Sequence, residues 1–261
     1  MNEKASVYTK KILITGASGQ MASIARDLYC SHSVELWSTK DLVLRKNESL
    51  RKSADLADST WWKTSQFKVN YDIIFHFAEP VKKKLTPDIV EKIIESHTAF
   101  LINATKYGAK VVYPLTAYRY DQSLSFKNRQ YRNIKERVAM TLLKNEKILL
   151  PILHPVVDFG NGLNSIRNLV NKVPIINPFS EFNAELPVLC EHDLKSYMLN
   201  IEQQKSGATN VYTEILKIKK IFNNPNKKDI SFISALLKTL INTLPDSGIK
   251  NILINGRKIY D

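Results

Sequence analysis

Tyr131 and Lys135 stand four residues apart in the segment YRNIK. On a helix this spacing places both side chains on one face, one turn apart. A neighbouring ammonium stabilises a phenolate and lowers the pKa of a tyrosine, so such a pair can deliver or accept a proton. The same spacing arises by chance in chains rich in lysine and tyrosine. Thr116 favours the chemical interpretation because it follows the apolar run 111–113, at a strand end where parallel α/β sheets bind ligands.

Two glycines follow the first apolar run of the chain. The run Lys11–Ile14 leads into the segment TGASGQMA at residues 15–22, and a helical apolar stripe follows it at Met21, Ile24, Ala25 and Leu28. Gly16 and Gly19 allow a tight turn that brings backbone N–H groups to a pyrophosphate, where a helix N-terminus adds partial positive charge. An ordinary strand–helix turn also contains such glycines. Their position inside a β–α–β unit near the start of the chain favours a dinucleotide site.

The second strand, Val34–Trp37, ends in Ser38, Thr39 and Lys40. A site specific for NAD places a carboxylate at this point, where it binds the ribose hydroxyls. No acid stands there, and two hydroxyls and an ammonium suit a 2′-phosphate instead. We therefore expect NADP(H) to be preferred, with NAD(H) as the second choice. The alternative is that Lys40 is a solvated surface charge.

Short apolar runs alternate with helical segments over the first 160 residues. The runs with the character of buried strands are Lys11–Ile14, Val34–Trp37, Ile73–Phe77, Val111–Tyr113 and Ile148–Leu153. Helices are predicted from Met21 to Leu28, from Ile89 to Ala104 with a stop at Gly108, and from Asn133 to Leu143. This alternation predicts an α/β fold with a doubly wound parallel sheet of the Rossmann type.

Beyond residue 160 the pattern loosens into segments that contain Pro174, Pro178 and Pro187. Helices are expected there near 165–171, 193–203 and 231–244, and the segment NNPNKK at 223–228 is the best candidate for a mobile loop. We expect residues 1–160 to form an NAD(P)-binding Rossmann domain. Residues 161–261 are expected to form mainly a small C-terminal substrate-binding lobe, with segments that return to the core.

Four segments occur in the order seen in the extended short-chain dehydrogenase/reductase family. They are TGASGQMA at 15–22, DIIFHFAEP at 72–80, LTAYRYD at 115–121 and YRNIK at 131–135. LTAYRYD most resembles the S-T-D-Y-V-F-D segment of the dTDP-4-dehydrorhamnose reductase branch of that family. The matches cover the chain from residue 10 to residue 160, and shorter similarities follow at 153–155, 164–166 and 191–194.

The resemblance implies a role for each matching residue. Tyr131 resembles the general acid that protonates the substrate carbonyl oxygen, and Lys135 the residue that tunes Tyr131 and holds the nicotinamide ribose. Thr116 resembles the hydroxyl that orients the carbonyl. The implied pyrophosphate cradle is Gly16, Ser18, Gly19, Gln20 and Met21. Further implied cofactor contacts are Asp55, Leu56, Phe77, Ala78 and Pro155, and the implied substrate contacts are Thr116, Tyr118 and Asn164.

The resemblance implies NAD(P)H-dependent reduction of a keto group on a nucleotide-activated sugar of the 4-keto-6-deoxyhexose type, in surface polysaccharide biosynthesis. Two alternatives stay open, an epimerase of the same superfamily and a non-catalytic, cofactor-binding regulatory subunit. The presence of Thr116, Tyr131 and Lys135 together favours an enzyme. Only 14 residues separate Thr116 from Tyr131, and this short substrate loop favours the regulatory subunit. Ala22 stands where the family has its third glycine, and Leu115 and Ala117 stand where it has polar residues.

The chain carries 38 Lys and Arg residues against 25 Asp and Glu residues, a formal net charge of +13. The basic residues are spread along the chain, with only short runs at 82–84 and 217–220. This distribution predicts a solvated basic surface and no nucleic-acid partner. A positive field would still attract a phosphate-bearing cofactor and an anionic substrate.

The sequence also argues against disulfide-bonded, metal-binding, secreted and membrane-spanning proteins. Cys30 and Cys190 are too far apart in sequence to indicate a disulfide framework or a zinc motif, which favours a reducing compartment. The five histidines lack metal-binding spacings, so no metal is expected. The N-terminus lacks the apolar region of a signal peptide, and no run approaches the ~20 apolar residues of a spanning helix. We therefore expect a cytoplasmic protein without a membrane span, and a homodimer is compatible with the sequence.

Overall fold

The computed structural model describes residues 9–52, 70–78, 85–116, 126–154, 168, 172, 176–222, 228–229, 231–243 and 253. Its strands are β1 (Lys11–Thr15), β2 (Ser33–Ser38), β3 (Glu48–Lys52), β4 (Ile73–His76), β5 (Lys110–Val112), β6 (Leu115–Thr116), β7 (Ile148–Leu153), β8 (Ile176–Asn177), β9 (Glu185–Val188), β10 (Gly207–Val211), β11 (Glu214–Lys217) and β12 (Lys228–Asp229). The main sheet has the order β10-β7-β5-β4-β1-β2-β3, and β6 pairs with β7. Two small sheets pair β9 with β11 and β8 with β12.

The strands of the main sheet from β7 to β3 run parallel to their neighbours. Their apolar residues are nearly continuous, as at Ile12, Leu13 and Ile14 of β1, which have no exposed surface. A parallel sheet covered on both faces requires this pattern. From β1 the chain adds β2 and β3 on one side of the sheet and β4, β5 and β7 on the other, so the order of strand addition changes side between β1 and β4. Doubly wound sheets bind ligands at this switch point, beyond the carboxyl ends of the strands. The predicted doubly wound parallel α/β fold is confirmed.

The helices with described bounds are α1 (Gln20–Leu28), α2 (Pro87–Lys106), α3 (Phe126–Leu142), α4 (Glu191–Leu199), α5 (Ile218–Ile221) and α6 (Ser231–Thr243), and a 3₁₀ turn covers Ile201–Gln203. In α2 the N-cap Thr86 accepts a hydrogen bond of 3.4 Å from the N–H of Ile89, and Pro87 fills the first turn. Gly108 follows the end of this helix with φ of 98°, a conformation that terminates helices, and leads into β5. Among the helices whose residues are described, none combines the length and hydrophobicity that crossing a membrane requires.

The main hydrophobic core lies between the sheet and the helices α2 and α3. Its strand residues include Leu13, Ile74 and Val111, and its helix residues include Phe100 and Ile134, all at most 1% exposed. Burial of each such side chain contributes about 1.5–3 kcal/mol to the free energy of unfolding. Because α2 and α3 share this core, both helices can direct polar side chains toward the ends of the strands.

The chain divides into two compact units. The first comprises Met1–Leu115, Asn133–Pro151 and Met198–Thr209, and the second comprises Thr116–Arg132, Ile152–Tyr197 and Asn210–Asp261. The second unit has its own core, in which Phe179, Phe182, Leu186, Val188 and Ile218 are buried. The assignment of a cofactor domain to residues 1–160 and of a substrate lobe to residues 161–261 remains a prediction.

Candidate functional site

The turn between β1 and α1 passes directly against the end of β4. Gly16 has φ of 66°, and a Cβ atom added to it would lie 2.6 Å from the N atom of Ala78 and 2.7 Å from the carbonyl oxygen of Phe77. Side chains essentially never approach backbone atoms so closely, and a positive φ strains every residue except glycine. Glycine is therefore required at position 16, and the predicted cofactor contacts Phe77 and Ala78 lie beside the predicted cradle residue Gly16.

The same turn presents a helix N-terminus. The N–H of Gly19 donates to the carbonyl oxygen of Gly16 at 2.9 Å, and the N–H of Ala17 donates to that of Trp37 at 3.1 Å, which fixes the turn. No side chain caps α1 at Gly19, and helix geometry leaves the first-turn N–H groups, at Gln20 and Met21, without intrahelical acceptors. Ser18 is exposed beside them. Free N–H groups and the helix dipole suit an anion such as a pyrophosphate.

The end of β2 places Ser38, Thr39 and Lys40 in different environments. Ser38 is 2% exposed, and its Oγ accepts a hydrogen bond of 3.0 Å from the N–H of Lys40, so this hydroxyl stabilises the turn. Thr39 and Lys40 are exposed. Asp41 follows directly and forms an ion pair with Lys52 of β3. Of the three predicted contacts to a 2′-phosphate, Thr39 and Lys40 are thus the two that face solvent.

Lys135 is buried in α3, with only 5% of its surface exposed. Its Nζ atom donates a hydrogen bond of 2.6 Å to the carbonyl oxygen of Pro114, just beyond the end of β5. The same Nζ atom lies 5.1 Å from the centroid of the Tyr113 ring, within the range of a cation–π contact. A buried ammonium is costly unless it is hydrogen-bonded, so these contacts hold the charge at the carboxyl edge of the sheet.

Tyr131 lies one turn before Lys135 in α3, and Thr116 is the last residue of β6. The predicted Y-x-x-x-K spacing on a helix is thus present. The side chains of Thr116 and Tyr131 are outside the described part of the structure, as are the predicted contacts Asp55, Leu56, Tyr118, Pro155 and Asn164. The roles given to all of these residues remain predictions.

A pair of buried histidines lies next to the glycine turn, and the sequence interpretation did not assign it to the site. Nε2 of His76 lies 3.0 Å from Nδ1 of His97, and Nδ1 of His76 lies 2.8 Å from Oγ1 of Thr15. Burial lowers the pKa of His97 to about 3, with a further contribution from the Lys135 ammonium. Burial lowers the pKa of His76 well below its ordinary value, with further contributions from the neighbouring His97 and Lys135. Both imidazoles are therefore neutral at neutral pH.

The sequence contained a signal for this pair. His76 ends the apolar run of β4, and His97 lies four residues after Ile93 and three before Phe100, on the buried stripe of α2. A histidine at a core position of a helix and another in a buried strand need partners for their ring nitrogens. Among the described residues, no cluster of three or more His, Cys, Asp and Glu side chains is arranged to hold a metal ion.

Comparisons with known proteins give structural neighbours only. No protein-family model matches the chain, and no curated protein matches it. A hypothetical dTDP-4-dehydrorhamnose reductase from Sulfolobus tokodaii has a similar structure, with a TM-score of 0.59, 20% identity, and coverage of 84% of this chain and 85% of that chain.

Two further neighbours were crystallised with a cofactor. The enzyme WbmH of Bordetella bronchiseptica, in complex with NAD+, has a TM-score of 0.61, 16% identity, and coverage of 85% of each chain. The dTDP-4-dehydrorhamnose reductase of Bacillus anthracis, in complex with NADP, has a TM-score of 0.59, 15% identity, and coverage of 87% of this chain and 86% of that chain. These likenesses, all at 20% identity or less, confirm the predicted fold.

Proposed function

We propose that this protein is an NAD(P)H-dependent reductase of a keto group on a nucleotide-activated sugar. The observation that carries the proposal is the arrangement at the carboxyl ends of the adjacent strands β1, β4 and β5. A glycine turn with no room for a side chain lies against the end of β4 at Ala78, and a buried ammonium, that of Lys135, is held at the end of β5. A pyrophosphate cradle and a cationic group one strand further along suit the pyrophosphate and the nicotinamide ribose of a nicotinamide dinucleotide.

The described residues support a contact for each of three parts of the cofactor. The N-terminus of α1 would hold the pyrophosphate, Thr39 and Lys40 would meet a 2′-phosphate, and Lys135 would hold the ribose of the nicotinamide. The absence of an acid among Ser38, Thr39 and Lys40 supports a preference for NADP(H) over NAD(H). When bound, the reduced cofactor supplies the hydride.

Residues of the chain would supply the proton and orient the carbonyl group of the substrate. Tyr131 is proposed to protonate the carbonyl oxygen of the substrate as the hydride arrives, and Thr116 to orient that oxygen by a hydrogen bond. Lys135, one turn from Tyr131 in α3, would stabilise the developing phenolate by its positive charge. This division of roles requires no metal ion.

The substrate class rests on three kinds of support: structural neighbours, a sequence segment and the net charge. Three structural neighbours are described as dTDP-4-dehydrorhamnose reductases, one of them as hypothetical, and LTAYRYD, residues 115–121, resembles the corresponding segment of that branch. The net charge of +13 favours an anionic substrate such as a nucleoside diphosphate sugar. Tyr118 and Asn164 are the proposed contacts to it, and a cytoplasmic role in the synthesis of a surface polysaccharide precursor follows from the same proposal.

An assay with a matched sugar tests the proposal. The purified protein is mixed with NADPH and a dTDP-linked 4-keto-6-deoxyhexose, and the loss of NADPH absorbance is followed. We expect turnover with the keto sugar and none with dTDP-glucose, which carries the same nucleotide but no keto group. Binding of NADPH without turnover of any nucleotide-linked keto sugar would contradict the proposed reaction and favour the regulatory subunit.

A further inference from the structure

A chain of hydrogen bonds crosses the core from β1 to α2. The N–H of Ala78 donates to Oγ1 of Thr15 at 3.2 Å, and the chain continues from Oγ1 through His76 to Nδ1 of His97, at 2.8 and 3.0 Å. Both histidines are at most 1% exposed. The chain therefore joins the ends of two adjacent strands to the helix that covers them.

A contribution to the stability of the fold does not explain why two histidines occupy these buried positions. Among the described residues, Nε2 of His97 has no hydrogen-bond partner although it is buried, and an unsatisfied buried nitrogen costs free energy. Two apolar side chains of similar volume would avoid that cost. Buried hydrogen bonds between side chains specify one geometry, where an apolar contact would allow several. The histidine pair would therefore act by fixing the positions of the groups packed against it.

The group next to the pair is Tyr113. Its ring stacks on the His76 ring, with centroids 5.6 Å apart and planes at 27°, and meets the edge of the His97 ring at 6.4 Å. The Lys135 ammonium lies 5.1 Å from the centroid of that same tyrosine ring. The two imidazoles therefore fix the ring against which Lys135 is held. Since both imidazoles are neutral, they do this without repelling the ammonium.

We propose that His76 and His97 are positioning residues for the nicotinamide end of the cofactor site, acting through Tyr113 on the ammonium of Lys135. The inference rests on the proposed function, because it takes Lys135 as the residue that holds the nicotinamide ribose. His97 is the residue to change, since it ends the chain of hydrogen bonds and its replacement by leucine removes the partner of a single atom, Nε2 of His76.

A comparison of the binding of a whole cofactor with the binding of its adenine half separates a loss of positioning from a general loss of structure. NADPH and 2′,5′-ADP share the adenine end, but only NADPH carries the nicotinamide ribose that Lys135 is proposed to hold. In the variant His97→Leu we expect NADPH to bind about tenfold more weakly, as when one charge-assisted hydrogen bond to the ribose is misplaced. Binding of 2′,5′-ADP is expected to stay unchanged. The variant His97→Asn, whose Oδ1 atom can replace Nδ1, is expected to restore NADPH binding.

The matched control is Ile93→Val, a small core change one turn earlier on the same buried side of α2, where Ile93 is 1% exposed. It is expected to lower stability without separating the two ligands. Unchanged NADPH binding in His97→Leu, or an equal loss of both ligands in that variant, would overturn the positioning role. Wild-type protein that binds neither ligand overturns the inference and the proposed function together. Wild-type protein that binds NADPH but reduces no keto sugar overturns only the reaction, because the binding comparison needs no substrate.

Discussion

The ammonium of Lys135 donates a 2.6 Å hydrogen bond to the carbonyl oxygen of Pro114. This contact fixes a cation from α3 at the end of β5, one strand away from β4 and two from the glycine turn that follows β1. A lysine side chain on the surface samples many conformations, whereas this one is 5% exposed and held by a carbonyl oxygen and an aromatic ring. The chain thus has a preorganised positive charge at the point where the proposed function requires a contact to the nicotinamide ribose.

The variant Tyr131→Phe is expected to bind NADPH normally and to lose turnover by a factor of about 100 or more, the usual contribution of a general acid. The substitution removes the proton donor and retains the ring. Steady-state kinetics with the keto sugar and fluorescence titration with NADPH measure the two properties. Tyr107→Phe, at a residue that is 47% exposed, is the control and should change neither. Near-normal kcat in Tyr131→Phe would remove the catalytic role.

The variant Lys40→Glu is expected to lower the preference for NADPH over NADH by about tenfold or more, because a carboxylate repels a 2′-phosphate and accepts hydrogen bonds from a free ribose. Titration of each variant with both cofactors measures the preference. Lys92→Glu, on the exposed side of α2, changes the net charge equally and should leave the ratio of affinities unchanged. Equal affinities for the two cofactors in the wild-type protein would show that Lys40 is only a solvated charge.

Replacement of Gly16 by alanine is expected to be more damaging than replacement of Gly108. Both glycines have positive φ, 66° and 98°, so both substitutions incur about 1–2 kcal/mol of backbone strain. A Cβ at position 108 meets no atom within 4 Å, whereas one at position 16 overlaps Ala78 and Phe77. That overlap adds about 1–3 kcal/mol. Urea denaturation of the two variants measures the difference, and equal losses would show that the turn tolerates a side chain at 16.

The unfolding free energy is expected to fall as the pH drops below about 6.5. His76 and His97 have lowered pKa values in the folded protein, about 3 for His97, so the unfolded chain binds more protons. Their contribution is complete above the ordinary histidine pKa of 6.5 and is lost progressively as the pH falls toward 3. Denaturation at a series of pH values should show a shallower decline in His97→Leu. A decline of the same slope in both proteins would mean that the pair does not titrate in this way.

The parts of the fold that depend on local sequence were predicted correctly. The run Lys11–Ile14, the glycine turn and the apolar stripe of α1 are adjacent in the chain, and their periodicities differ clearly. The strand β3, ESLRK, was not predicted because its residues are polar and only partly buried, so it lacks the apolar run that identifies inner strands. Helix α3 begins at Phe126 and not at Asn133, because the segment FKNRQYR has no apolar period.

The parts of the site that depend on long-range contacts were not predictable. His76 and His97 are 21 residues apart in the chain, and their contact exists only because α2 packs over the end of β4. The burial of Ser38 is similar, since periodicity identifies the end of β2 but not which of its hydroxyls turns inward. Sequence therefore predicted the glycine turn and a helical position for Lys135, and only the packed structure shows the buried chain of hydrogen bonds that lies between β1 and α2.

Transfer of deuterium tests the central claim most directly. The protein is incubated with a dTDP-linked 4-keto-6-deoxyhexose and with NADPH that carries deuterium at C4 of the nicotinamide, the carbon that gives up the hydride. The sugar product is analysed by mass spectrometry and NMR. The proposed function predicts that the label appears on the carbon that carried the keto group, that Tyr131→Phe nearly abolishes the transfer, and that Tyr107→Phe does not. A protein that binds both ligands and transfers no deuterium would contradict the account.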